Sequence, residues 1–284
     1  MIPAAFNYVR AASLADAIDL AQANPDGSKF VAGGHTLLPT LKLRLASPEL
    51  LIDIRGIAEL RGIEVGERTI RIGALTTHAA LLGSEPLFRA LPVFRQAANM
   101  IADPQVRNRG TIGGSLANAD PAADWPAVVI ALNAEIEMRG PTGSRRVAAR
   151  EFFLDIFTTA LEPGEVLTAI HIARPEPEMR FGYRKIRHPA SGYAVVGVAV
   201  GLLLKDQNVK RVSIGVTGAA SRAFAGNAAT ALLTGKAFSR ERVEAAAQAV
   251  SESFSCLSDR YAPAEYRAAL VRTELTRALL ALAA

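Results

Sequence analysis

Two short glycine-rich segments, about 80 residues apart, constrain this chain more than any other feature: Ala32-Gly33-Gly34-His35-Thr36 and Thr111-Ile112-Gly113-Gly114-Ser115. Paired glycines admit positive φ and close backbone approach, and successive N–H groups presented this way cradle an anion such as a pyrophosphate. The first segment follows Lys29-Phe30-Val31, which reads as a short strand, and Thr36 adds a hydroxyl donor. Taken alone, it reads first as a tight strand-to-helix turn. The second segment again sets two glycines beside hydroxyls and follows Arg107 and Arg109. Two such segments on separate subdomains could clasp one extended dinucleotide. Neither fits G-x-G-x-x-G and neither carries a P-loop lysine, which argues against an ordinary nicotinamide fold or a P-loop NTPase. Gly140-Pro141-Thr142-Gly143 reads as a hairpin turn.

The rest of the composition narrows the chemistry. At 284 residues and 50% apolar content, two ordinary domains are expected. The net charge of +5 is spread over mixed Lys/Arg and Asp/Glu, without a basic run interleaved with aromatics, so nucleic-acid binding is not expected. Cys256 is the single cysteine, which excludes intramolecular disulfides and an iron–sulfur cluster held by this chain alone. His35, His78, His171 and His188 lack zinc spacing, so no metal is expected here. No apolar stretch reaches the roughly 18–20 residues of a membrane span, and no basic-then-apolar leader is visible. The expected location is cytoplasmic, with association to the inner membrane face through an electron acceptor left open.

Along the chain, Ser13–Asn24 reads as a capped amphipathic helix with Leu14, Ala17, Ile18 and Ala21 on one face. A helical turn is expected near Pro39–Arg44 and a strand at Leu50–Ile54. Hairpins are expected at Ile63–Val65/Thr69–Ile72 and Glu135–Met138/Arg145–Ala148. One long helix is expected between Pro86 and Met100, an irregular polar segment at Gln105–Arg109, a helix over Pro121–Asn133 and a strand at Val166–Ile172. Ala173–Glu178, with paired prolines, reads as an extended linker. Beyond it come an antiparallel pair, Tyr193–Leu204 and Val209–Thr217, and helices over Asn227–Leu233, Ser239–Ser255 and Pro263–Leu282. Strands followed by helices suggest a separate α+β domain.

These motifs carry a resemblance. The pair A-G-G-H-[ST] and T-I-G-G-[SN] resembles the signature of the FAD-binding medium subunits of molybdenum hydroxylases. Aerobic carbon monoxide dehydrogenase medium subunits are the nearest likeness, and xanthine dehydrogenase flavin domains a more distant one. The likeness runs along nearly the whole chain, through Met1-Ile2-Pro3, Arg44-Leu45-Ala46, Ile72-Gly73-Ala74, Ile101–Arg107, Asn118–Pro121 and Glu162–Glu165. It implies an α+β fold: a two-lobed FAD-binding domain of the vanillyl-alcohol-oxidase (PCMH) type over residues 1–176, with lobes of about 1–55 and 56–176. A small C-terminal domain of antiparallel sheet plus helices would follow over residues 177–284.

The resemblance also implies the site. Lys29, Phe30, Val31, Ala32, Gly33, Gly34, His35 and Thr36 would wrap the pyrophosphate of FAD. Thr111, Gly113, Gly114 and Ser115 would support it from the other lobe. Asp124 would sit near the sugar hydroxyls, although on its own residues it reads equally as an exposed helix-start aspartate. Ile101 and Leu161 would wall the isoalloxazine, Tyr193 would shield a ring face, and Lys185 would place a base near the flavin. Without the resemblance, Tyr193 reads as a strand residue and Lys185 as a surface charge. His35 occupies a position that covalent flavoproteins of the wider fold use for attachment, but the likeness is to the non-covalent branch. His188 and Pro189-Ala190 depart from the family pattern and leave the acceptor side open.

The implied role is an electron-transfer subunit, with no catalytic residue in this chain beyond the flavin. A large subunit would hold the molybdenum cofactor, a small one two [2Fe–2S] clusters, and the assembly would be a dimer of heterotrimers. A stand-alone flavoprotein oxidoreductase and a flavin-free scaffold subunit are the alternatives.

Overall fold

The chain begins with a parallel α/β unit whose elements follow from local signals. In the computed structural model, which describes residues 1–284, these are β1 (Asn7–Arg10), α1 (Leu14–Ala23), β2 (Ser28–Val31), α2 (Leu37–Lys42) and β3 (Leu50–Asp53). Ser13 caps α1 by accepting from the Asp16 N–H at 3.1 Å, and the buried face is Leu14, Ala17, Ile18 and Ala21, the i, i+3, i+4, i+7 stripe. The strands lie in the order β1-β3-β2, all parallel. This sheet and helix share a small core with Ile52, Ile54 and Leu75. β1 had no sequence signal: its four residues carry almost no buried surface.

The second lobe is an antiparallel sheet with helices packed on it. Its elements are β4 (Ile63–Val65), β5 (Thr69–Gly73), α3 (His78–Gly83), α4 (Glu85–Ala90), α5 (Val93–Asn99), α6 (Pro104–Arg109), α7 (Ile112–Asn118) and α8 (Asp124–Ala131). They continue as β6 (Glu135–Gly140), β7 (Gly143–Ala148), α9 (Ala149–Phe152), β8 (Phe153–Asp155), β9 (Thr158–Thr159) and β10 (Val166–Ala173). The five-stranded order is β4-β5-β10-β6-β7, with β8 and β9 a separate hairpin.

Three expectations need correction in this lobe. The long helix from Pro86 is two helices, α4 and α5, because Pro92 lacks the N–H a continuous helix requires. The segment Gln105–Arg109 is helical rather than irregular: Asp103 caps it, accepting from the Val106 N–H at 2.8 Å, and Pro104 takes the first turn. The helix expected from Pro121 starts at Asp124.

The last unit comprises β11 (Arg180–Arg187), β12 (Ala194–Lys205), β13 (Asn208–Thr217), β14 (Phe224–Ala225), α10 (Asn227–Leu233), α11 (Arg240–Glu252) and α12 (Ala264–Ala283), with sheet order β11-β12-β13-β14. β11 has no clear signal in the sequence, because its alternation of Arg and Lys with Phe181 and Tyr183 hides a strand with one buried face. β12 is buried on both faces. Val196, Val198, Val200 and Leu202 pack against the C-terminal helices. Ala199 and Leu203, with Phe181 and Tyr183, join the 35-residue core of the second lobe.

The hinge of this packing is α8, all eight of whose residues are buried, as expected for a helix apolar on every side. It lies against β13 at Gly215, where a Cβ would fall 2.0 Å from the Ala127 carbonyl oxygen. The Ser213 hydroxyl donates to the Ala131 carbonyl at 2.6 Å, and the Thr217 hydroxyl reaches those of Pro121 and Ala123 at 2.7 Å. The last unit is therefore built into the core of the second lobe, not merely tethered by residues 174–179.

Candidate functional site

The two glycine segments meet. Val31 ends β2, Thr36 precedes α2, and between them Gly33 presses against the chain just ahead of α7: a Cβ there would lie 2.2 Å from the Arg109 carbonyl oxygen and 2.9 Å from Gly110 Cα. Gly34 has φ +76°, the left-handed region that favours glycine. On the opposite side a Cβ at Gly114 would stand 4.0 Å from that of Ala32. Residues remote in sequence thus form one continuous wall.

The segments contribute differently. In the first, the N–H groups of Gly33, Gly34, His35 and Thr36 donate to nothing in the protein, and neither does the Thr36 hydroxyl. Four consecutive free donors at a strand end form a ready anion cradle. The second is the first turn of α7 rather than a loop. Thr111 caps it, accepting from the Gly114 N–H at 3.1 Å. The N–H groups of Ile112 and Gly113 go to the carbonyls of Thr76 and Ala74, and that of Ser115 to Thr111. What α7 offers is the exposed, side-chain-free edge of Gly114 and the unpaired Ser115 hydroxyl. Lys29 is exposed and Phe30 half-buried on β2, behind the cradle. His35 is exposed, its Nδ1 3.1 Å from the Gly33 carbonyl oxygen.

A second cluster lies where α8 meets β11. The Lys185 ammonium sits 2.8 Å from Asp124 Oδ1 and donates to the Met100 carbonyl at 3.1 Å, while the Tyr183 hydroxyl donates to Asp124 at 2.6 Å. Lys185 is thus a buried ion-pair partner and not a surface charge, and Asp124 is not an exposed helix-start aspartate. Burial is the largest influence on both, raising the Asp124 carboxyl and lowering the Lys185 ammonium, and their mutual attraction opposes it. Tyr193 is 43% exposed. Its hydroxyl is pushed up by burial first and then by the negative charges of Asp120 and Asp124. Ile101 and Leu161 are half-buried at the edge of the same core.

Three residues outside the expected set of site residues hold these parts in place. Arg107 donates to the carbonyls of Ile101 and Ala102 at 2.8 and 2.9 Å, fixing a turn in which Ala102 has φ +42°. Tyr183 satisfies Asp124. His78 packs behind Gly110, where a Cβ would fall 2.8 Å from its Nε2, and accepts from the Trp125 indole N–H at 3.0 Å. Burial lowers the His78 imidazole to about 4, so it is neutral at pH 7. Arg107 had a signal in its position ahead of the second segment. The other two depend on contacts across 47 to 59 residues.

The free N–H groups and the side-chain-free approach suit the pyrophosphate of an extended dinucleotide, the kind of ligand that flavin-binding subunits of the molybdenum-dependent oxidoreductases hold. A family model described as the FAD binding domain in molybdopterin dehydrogenase matches residues 4–175, and one described as the CO dehydrogenase flavoprotein C-terminal domain matches residues 181–282. The chain belongs to this family, the FAD-binding medium subunits of molybdenum hydroxylases. It is similar to the carbon monoxide dehydrogenase medium chain of Afipia carboxidovorans, at 40% identity over 98% of this chain and 97% of that one. It is also similar to the nicotine 6-hydroxylase medium subunit of Paenarthrobacter nicotinovorans, at 37% identity over 97% and 96%. The solved carbon monoxide dehydrogenase of Hydrogenophaga pseudoflava lacking the Mo-pyranopterin moiety superposes with a TM-score of 0.97 at 40% identity, covering 99% of this chain and 98% of that one. No helix is long and apolar enough to cross a membrane.

Proposed function

We propose that this chain is the electron-transfer subunit of a three-component molybdenum hydroxylase. The observation that carries this reading is the run of unpartnered N–H groups from Gly33 to Thr36 beside the Gly114 edge, a cradle that suits the pyrophosphate of a non-covalently held FAD. FAD, when bound, supplies an electron-carrying centre between the [2Fe–2S] clusters of a small partner subunit and an external acceptor.

The chain's own residues bind and orient. Within the segments Lys29 to Thr36 and Thr111 to Ser115, the free N–H groups of Gly33 to Thr36, the Gly114 edge and the Ser115 hydroxyl would hold the phosphates. Ile101, Leu161 and Tyr193 would bound the ring and limit water there. Asp124 and Lys185 would order the floor between them, and a hydroxyl of the flavin's sugar chain would compete for Asp124 with Tyr183 and Lys185. No acid–base pair in this chain has to act on substrate, because oxidation with water belongs to a large subunit holding the molybdenum cofactor. The assembly is a dimer of heterotrimers. Relatives at 40% and 37% identity are named for carbon monoxide dehydrogenase and for nicotine 6-hydroxylase, so likeness at this level does not fix the substrate.

Co-expression with the neighbouring large- and small-subunit genes tests the reading. The complex, reduced through its molybdenum centre, should bleach flavin absorbance. A preparation lacking only the small subunit should not. Equal bleaching in both would overturn the proposed route.

A further inference from the structure

The connection from β11 to β12, His188 to Tyr193, is tied to itself and to the C-terminal helices in a way the FAD cradle does not require. The His188 N–H donates to the Tyr193 carbonyl and the Gly192 N–H to the His188 carbonyl, both at 2.8 Å, with Gly192 at φ +72°. The His188 ring fills this loop. Its Nδ1 accepts from the N–H groups of Ala190 and Ser191, each at 3.3 Å, and Ser191 Oγ accepts from the Tyr193 N–H at 3.3 Å. An imidazole nitrogen accepting two N–H groups must be the unprotonated one.

That ring also packs against Tyr261, with ring centroids 4.4 Å apart and the two planes tilted by 60°. Tyr261 is itself held. Asp259 accepts from the N–H groups of Tyr261 and Ala262 at 2.9 and 2.8 Å, and pairs with Arg267 at 2.5 Å. Arg267, 6% exposed, spends one terminal nitrogen on the carbonyls of Val195 and Gly218, both at 2.6 Å. Val195 lies two residues beyond Tyr193, so the chain of contacts closes on β12, the strand that the Tyr193 loop leads into. A buried arginine committed to backbone carbonyls is expensive to place and costly to break. Through Asp259 it ties down the backbone of Tyr261, whose ring meets that of His188.

We infer that His188, packed against the ring of Tyr261, is a positioning residue that sets the loop carrying Tyr193 and thereby the size of electron acceptor that can approach the flavin. This rests on the reading of Tyr193 as the aromatic shielding a flavin face. Tyr193 is partly exposed and has no side-chain hydrogen bond of its own, so its position is set by the loop that carries it.

The test uses the FAD-loaded full chain in its complex, with two readouts: flavin fluorescence, which a stacked tyrosine quenches, and reoxidation of the dithionite-reduced flavin by ferricyanide and by the bulkier cytochrome c. His188→Ala should raise fluorescence and lower the KM for cytochrome c by about threefold or more with little change in kcat. Ferricyanide kinetics should barely move. His188→Asn, which keeps an acceptor near the Nδ1 position, should behave like wild type. Tyr261→Ala, which removes the support from a different segment, should reproduce the alanine effect. A His188→Ala protein identical to wild type, beside a Tyr193→Ala protein that is bright and fast with cytochrome c, would overturn the latch while leaving Tyr193 as the shield. If Tyr193→Ala also changes nothing, the shielding role falls and the inference falls with it.

Discussion

Lys185 of β11 and Asp124 of the first turn of α8 are joined by an ion pair of 2.8 Å, with side chains only 1% and 7% exposed. The pair crosses from the C-terminal sheet into the second lobe, next to the Ile101 turn, and Tyr183 and the Met100 carbonyl complete its hydrogen bonds. A buried pair gains little over a well-packed apolar one, but a single surviving partner is strongly penalised. The pair therefore specifies how the two units dock more than it adds to stability.

Asp124→Ala should lower the unfolding free energy of the full chain by about 3–5 kcal/mol, because it strands the Lys185 ammonium in the core. The double variant Asp124→Leu/Lys185→Met should recover most of that loss. Urea unfolding compares them; a double variant as unstable as the single one would show that packing, not charge, dominates.

Acid should destabilise the protein in two steps. His78 titrates at about 4 in the folded chain against an ordinary 6.5. Its contribution is therefore complete above about pH 6.5 and lost as pH falls toward 4, roughly 3 kcal/mol in all. For Asp53 burial pushes upward, but hydrogen bonds from Arg55 and Tyr8 outweigh it and hold the carboxyl at about 2 against 3.8. That contribution, about 2 kcal/mol, is present above pH 3.8 and lost toward pH 2. Urea midpoints across pH 7 to 4 should fall less steeply in His78→Gln than in wild type; parallel curves would remove His78 from the account.

Glycine substitutions separate close approach from conformation. Gly33→Ala places a methyl against the Arg109 carbonyl and should both destabilise the chain and weaken FAD binding, by about tenfold or more. Gly34→Ala meets a movable Leu38 side chain but pays for φ +76°, about 1–2 kcal/mol. Gly83→Ala, in open space at the end of α3, should leave FAD binding unchanged and stability unchanged or raised by about 0.5–1 kcal/mol. Equal FAD affinity in the Gly33 and Gly83 variants, measured by fluorescence titration, would contradict the joined cradle.

What the chain reveals without coordinates follows the range of the interactions involved. α1 is legible because its cap and its buried stripe lie within eleven residues. β12 and β13 are legible as apolar runs around a polar turn. α6 is hidden because Asp103-Pro104 reads as a stop when it is a cap followed by a first-turn proline. β11 is hidden because its charged residues pair with groups distant in sequence, as Arg184 does with Glu274 at 2.7 Å and Lys185 with Asp124 at 2.8 Å. The glycine segments are visible as motifs, but their contact is not, since Gly33 meets Arg109 only in the folded chain. The same holds for Asp124 and Lys185, whose burial no local pattern encodes.

The most direct test of the central claim, a joined glycine cradle holding FAD without a covalent bond, is the flavin content of the purified chain before and after acid precipitation. The account predicts a yellow protein carrying about one FAD per chain, all of it recovered in the acid supernatant. Flavin retained in the pellet would mean attachment through a residue such as His35. A colourless protein that cannot be loaded with FAD would contradict the account altogether.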